Sequence, residues 1–177
     1  MKNKKLNKLL FMFLILIPFD GAFAVAGTPV TVVVNSTVTA NCFISATSLS
    51  FGNYDPVIVN ASLDLTAIST VSVTCTKGVN TATIGIDYGL HVTGTTQRQM
   101  KGPGASDLLS YNLFQSTLPG STNSCPGTVA FNNTTPLAIP IAPSKAARSY
   151  NVCGTVPQNQ DVSIGAYTDT VTVSINF

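Results

Sequence analysis

The chain has 177 residues, with nine lysines and arginines, seven aspartates and no glutamate. Four of the cations (Lys2, Lys4, Lys5 and Lys8) crowd the first eight positions, so the formal charge of +2 and the basic pI of about 8.4 belong to the start of the chain. Residues 25–177 carry five cations against six carboxylates and have no basic patch of the kind that holds nucleic acid.

The basic opening runs into an apolar stretch from Leu9 to Phe19 and then to Ala22-Phe23-Ala24. A basic segment, a short apolar segment and a small-x-small site together predict an export signal over residues 1–24. The apolar run is about half the 20 residues that a membrane-crossing helix needs. Removing 24 of 177 residues leaves 153, enough for one domain. That remainder is rich in Thr, Val, Ser, Asn and Gly and poor in Lys, a composition that favours pleated strands over helices.

The predicted elements begin at Pro29. Val30, Val32 and Val34 share one face, with Thr31 and Val33 on the other. Asn35-Ser36 interrupts, and Val38, Ala40 and Cys42 resume in the same phase. This period of two predicts two short extended pieces in series, split by a polar hinge. Leu49-Ser50-Phe51 is a short alternating piece before the turn-rich Gly52 to Pro56. Leu63, Leu65 and Ala67 alternate, and Val71, Val73 and Cys75 form a cleaner strand that Lys77-Gly78 ends. Ala82 to Tyr88 predicts another strand, with Ile84 and Ile86 inward. Thr93 to Asp107 reads as a long loop, followed by a strand carrying Leu109, Tyr111 and Leu113. Pro119 to Pro126 reads as a turn. Pro136, Pro140 and Pro143 confine the Leu137–Ile141 piece to a sheet edge. Tyr150 and Val152 precede Gly154, and the last strand runs from Thr170 to Phe177 with Val171, Val173, Ile175 and Phe177 on one face. Many short strands with turns between them and no helical period predict an all-β sandwich.

Cys42, Cys75, Cys125 and Cys153 allow three pairings. The sequential one, Cys42–Cys75 with Cys125–Cys153, is preferred; each bridge would close about 30 residues and contribute about 3–4 kcal/mol in the chain-entropy model. No CxxC or HxxxH spacing suggests a metal, and His91 is the only histidine. No nucleophile, base and orienting group stand in a recognisable relation, and Asp55, Asp87 and Asp169 read as turn formers or hydrogen-bond acceptors. The chain is therefore expected to be neither an enzyme nor a cofactor or metal binder.

The segment Gly165-Ala-Tyr167-Thr-Asp169-Thr-Val-Thr-Val-Ser-Ile-Asn-Phe177, with Gln160 before it, resembles the closing signature of the spore coat protein U domain family. Phe51-Gly52-Asn-Tyr54, Val73-Thr-Cys75-Thr76, Ile84 to Gly89, Arg98-Gln-Met100 and Leu109-Ser-Tyr111-Asn-Leu113 resemble other family elements in order. The resemblance covers Cys42 to Phe177. It implies an incomplete immunoglobulin-like β-sandwich, lacking one strand, of the kind that builds archaic chaperone–usher pili. It divides the chain into a signal peptide (1–24), an N-terminal donor strand segment (25–36) and the sandwich domain (37–177). It implies a donor stripe of Val30, Val32 and Val34. It also implies an acceptor groove edged by Val38 and Ala40 on one side and Val171, Val173, Ile175 and Phe177 on the other. The expected partners are identical or related subunits, a periplasmic chaperone and an outer-membrane usher, and the expected location is a cell-surface fibre that supports adhesion and biofilm formation. A surface-binding, lectin-like module and an outer coat protein are the alternatives. The Cys125/Cys153 pair departs from the simplest family pattern.

Overall fold

A computed structural model describes residues 27–116, 125 and 127–177. The expected signal peptide (1–24) and most of the expected Pro119–Pro126 turn lie outside the described residues. The chain divides into two units, Met1–Ser36 and Thr37–Phe177. In the first, residues 27–36 form no regular strand, and Val30, Val32 and Val34 are 87%, 83% and 89% exposed.

The second unit is all β among its described residues. Nine strands follow in chain order: β1 (Cys42–Ala46), β2 (Leu65–Cys75), β3 (Thr83–Ile86), β4 (Val92–Thr93), β5 (Gln97–Lys101), β6 (Leu108–Gln115), β7 (Leu137–Ala138), β8 (Arg148–Val156) and β9 (Val173–Asn176). A six-stranded sheet has the order β1-β2-β8-β6-β5-β4, and a three-stranded sheet has the order β7-β3-β9. Every pairing is antiparallel. The two sheets bury one shared core, to which the first contributes Val71, Val73, Leu113 and Val152 and the second Ile84 and Ile86. Period-two alternation sends these side chains to one face of each strand, and burial of each large aliphatic group contributes about 1.5–3 kcal/mol.

The two alternating pieces at Leu63–Ala67 and Val71–Cys75 are one strand, because their inward residues share the odd-numbered phase and only Ser69 interrupts the apolar series. The Cys42–Cys75 bridge joins residues that face each other directly across β1 and β2. The Cys125–Cys153 bridge ties position 125 to the middle of β8. Leu137–Ala138 is an edge strand flanked by prolines, in line with their missing N–H donors.

Two expectations are corrected. The first strand of the sandwich does not run from Val38 to Cys42; it starts at Cys42. Its partner β2 ends at Cys75, and the chain turns away at Lys77-Gly78, where Gly78 has φ 94°. Val38 and Ala40 consequently have no ladder partner, and Val38 is 82% exposed. The Thr93–Asp107 segment is not a plain loop, since it holds the end of β4 and all of β5, joined through Gly94 at φ 66°. The inward residues of β5 are Arg98, only 4% exposed, and Met100, so a cation breaks the apolar alternation that would mark the strand.

Candidate functional site

A long groove of about 1120 Å³ opens between two stretches of chain, residues 46–54 and 162–173. Its floor is apolar and includes Val71, Leu109, Tyr111, Leu113, Val152 and Val156. The six-stranded sheet ends on β1 and the three-stranded sheet on β9, so each sheet presents one unpaired strand edge at this side of the sandwich. No lysine or arginine lines the groove among the described residues, and Asp169 is its one carboxylate.

The first wall follows β1. Thr47 closes it onto β2, donating its N–H to Thr70 O at 2.9 Å and accepting the Thr70 N–H on Oγ1 at 3.0 Å. Beyond Thr47 the chain leaves the sheet, yet Leu49 and Phe51 still pack inward. They rest over Gly154 of β8, where a Cβ would come within 2.6 Å of Leu49 and 2.8 Å of Phe51. Tyr54 anchors the far end: its hydroxyl donates to Pro157 O at 3.0 Å and accepts the Gln160 N–H at 2.9 Å. The Gln160 side chain in turn accepts from Ser110 N at 2.8 Å and donates to Ser110 O at 3.0 Å. Motif residues Tyr54 and Gln160 thus form a polar brace between the wall and β6. Asp55 starts the following turn by accepting the Val57 and Ile58 N–H groups at 3.0 and 3.1 Å, and these bonds hold its carboxyl below the ordinary carboxylate range.

The second wall is pinned by Asp169. Its carboxylate accepts from Tyr111 Oη at 2.7 Å and from the Leu90 N–H at 3.0 Å, and it lies 3.1 Å from His91 Nδ1. The Asp169 side chain is 2% exposed and that of His91 32%. Burial, reinforced by the bond to Asp169, pushes the Tyr111 phenol far above its ordinary value. Asp87 fixes the wall where it enters β9, accepting the Thr172 N–H at 2.9 Å. Behind it Arg98 donates to the carbonyls of Ile86, Asp87 and Phe131 and lies 5.1 Å from the Tyr88 ring centre. Burial lowers its pKa, against the pull of the nearby tyrosines and aspartates.

Val171 and Val173 line the groove. Ile175 packs on the core and pairs with Ile84, while Phe177 is 51% exposed. Val38 and Ala40 do not line this groove; with Phe177 they border a separate, shallower cavity of about 280 Å³. The first wall is therefore made by 46–54, a stretch that the alternating pattern marked only at Leu49 and Phe51. All four cysteines are bridged, and no cluster of three metal-binding side chains exists among the described residues. No helix among them is long and apolar enough to cross a membrane.

Residues 28–174 match the family model of the Spore Coat Protein U domain. Over 137 residues the chain is 35% identical to "Protein U" of Myxococcus xanthus, an alignment spanning 73% of this chain and 72% of that protein. Among solved structures it is similar to a chain in the CsuC–CsuE chaperone–tip adhesion subunit pre-assembly complex from the archaic chaperone-usher Csu pili of Acinetobacter baumannii. That match has 21% identity and a TM-score of 0.49, and it covers 80% of this chain but 40% of that one. The extent of the family match and the identity to Protein U establish that this chain belongs to the Spore Coat Protein U domain family.

Proposed function

We propose that the chain is a structural subunit of a secreted surface fibre of the archaic chaperone–usher type, polymerising by donor-strand exchange. The observation that carries this reading is the open apolar groove between residues 46–54 and 162–173, which continue from the unpaired edge strands β1 and β9, in a chain that also bears an exposed alternating apolar segment outside its sandwich unit. An extended segment from a second copy, about Thr28 to Asn35, supplies main-chain hydrogen bonds to the strand edges and side chains to the groove. Val30, Val32 and Val34 each contribute about 1.5–3 kcal/mol when buried, and the ladder bonds add about 0.5–1.5 kcal/mol each. Giver and acceptor surfaces differ, so the contact is head-to-tail and propagates as a filament.

Before assembly the groove is an exposed apolar surface and needs a cover. A periplasmic chaperone lending a strand meets that need, and an outer-membrane usher is the site where the next subunit replaces it. Adhesion and biofilm formation follow from display of the fibre at the cell surface.

The test is Val32→Asp in the full chain, expressed in the periplasm with its chaperone and usher. The reading predicts a folded subunit that is retained with the chaperone and builds no fibres. Wild-type yields of fibre from Val32→Asp would overturn it.

A further inference from the structure

One residue of the groove floor is out of character. The inward series of β2 runs Leu65, Ala67, Ser69, Val71, Val73, and Ser69 alone carries a polar group. It is 9% exposed and lines the groove, and among the described residues its hydroxyl has no hydrogen-bond partner. In the open groove water still reaches this hydroxyl, but a strand that fills the groove would shut it off, and buried hydroxyls are nearly always paired, so the floor calls for a polar group on whatever fills it.

Its position along the floor says which group. Val71 lines the groove but Val73, the next inward residue, does not, so Ser69 lies one inward position inside the end of the groove, which continues past Leu65 to Pro56 and Ile164. Four residues of strand, Ser69 to Leu65, span about 13 Å, the same length as Val30 to Val34. The apolar stripe is flanked in phase by two hydroxyl residues, Thr28 before it and Ser36 after it. Direction chooses between them. All pairings in both sheets are antiparallel, and β9 runs from the groove towards Phe177. A strand laid antiparallel to β9 brings its N-terminal end to Ser69 and its C-terminal end to the Pro56 mouth.

We propose that Ser69 sets the register of the incoming strand by pairing with the hydroxyl of Thr28 from a second copy. Val30 then lies level with Ala67, Val32 with Leu65, and Val34 at the Tyr54–Pro56 end. Each hydroxyl donates or accepts for the other. A shift by one residue would turn the valines away from the floor, and a shift by two would set a valine against the Ser69 hydroxyl. This inference rests on the donor-strand reading above.

The experiment places cysteine pairs in the full chain and runs the assembled material on non-reducing gels. Thr28→Cys with Ser69→Cys is expected to give a covalent ladder, and Ser36→Cys or Val30→Cys with Ser69→Cys none. A ladder from Ser36→Cys or Val30→Cys instead, or from no pair, overturns the register. An intramolecular bridge without a ladder overturns the exchange between copies. A second measurement does not depend on cross-linking. Thr28→Val alone and Ser69→Val alone should each speed fibre dissociation in denaturant by roughly tenfold, and together they should restore it, because removing both partners strands neither. Additive losses overturn the pairing. Val32→Asp run alongside separates the two claims: fibres from that variant refute donor-strand exchange itself, whereas their loss together with a failed Thr28–Ser69 pair refutes only the register.

Discussion

Replacing Asp169 by Ala tests how the groove is held open. The substitution removes three interactions at once, those with Tyr111 Oη, Leu90 N and His91 Nδ1. Tyr111 is 4% exposed, so its hydroxyl would lose a charge-assisted bond and be left buried, a loss of about 1.5–3 kcal/mol. The Leu90 amide is exposed and His91 half-buried, so water replaces Asp169 there and each contributes only about 0.5 kcal/mol. The expected total is about 3 kcal/mol, which for a domain of this size lowers Tm by about 6–12 °C. Thermal unfolding of the full chain checks this, with Tyr111→Phe and the double variant completing a cycle. The expected coupling between the two positions is about 1–2 kcal/mol, because Tyr111→Phe removes the hydroxyl that Asp169→Ala would strand. A Tm change under about 2 °C, or no coupling, would refute the account of the second wall.

Other outcomes follow from the same geometry. Replacing Cys42 and Cys75 by Ser frees a loop with a sequence separation of 33 and is expected to cost about 3.7 kcal/mol; the same change at Cys125 and Cys153, with a separation of 28, should cost about 3.6 kcal/mol, both read by urea unfolding. Gly154→Val drives Leu49 and Phe51 off β8 into the groove, so unfolding should show a loss of about 1–3 kcal/mol and electron microscopy fewer fibres. Alkaline pH should weaken the fold through Tyr111. Its folded-state value is raised, so its contribution is intact below about pH 10 and declines above it, where the unfolded chain loses the phenolic proton first, at up to about 1.4 kcal/mol per pH unit. Tyr111→Phe should make that slope shallower in an unfolding series from pH 9 to 11, leaving the part that the buried Tyr150, also raised by burial, contributes.

The regular part of the sandwich was legible because strands buried on one face alternate. Val71, Val73 and Cys75, Ile84 and Ile86, and Leu109, Tyr111 and Leu113 all point inward as read. Where the pattern failed, the cause is physical. β5 hides behind Arg98, whose guanidinium is buried by bonding three backbone carbonyls rather than by apolarity. The start of β1 was misplaced because Val38, Ala40, Cys42 and Ile44 keep one phase throughout; the end of the partner strand at Cys75, not the phase, decides where pairing begins. The wall at 46–54 has no ladder to announce it, and it depends on a missing side chain at Gly154, far away in sequence. Asp169 reads in the sequence as a turn former or a hydrogen-bond acceptor, and in the structure it has three partners. That they pin one wall of a groove is a matter of tertiary placement, which no local pattern encodes. The donor stripe is the reverse case. Val30, Val32 and Val34 are plain in the sequence, and periodicity is silent on whose groove they enter.

The most direct measurement is a structure of two adjoining copies within an assembled fibre. The account predicts that residues 28–35 of one copy lie as an added strand between 46–54 and 162–173 of the next, antiparallel to β9, with Thr28 at Ser69, Val30 level with Leu113, Val32 level with Val156 and Val34 at the Tyr54–Pro56 end. A groove left empty, or filled by the same chain's own segment, would contradict it.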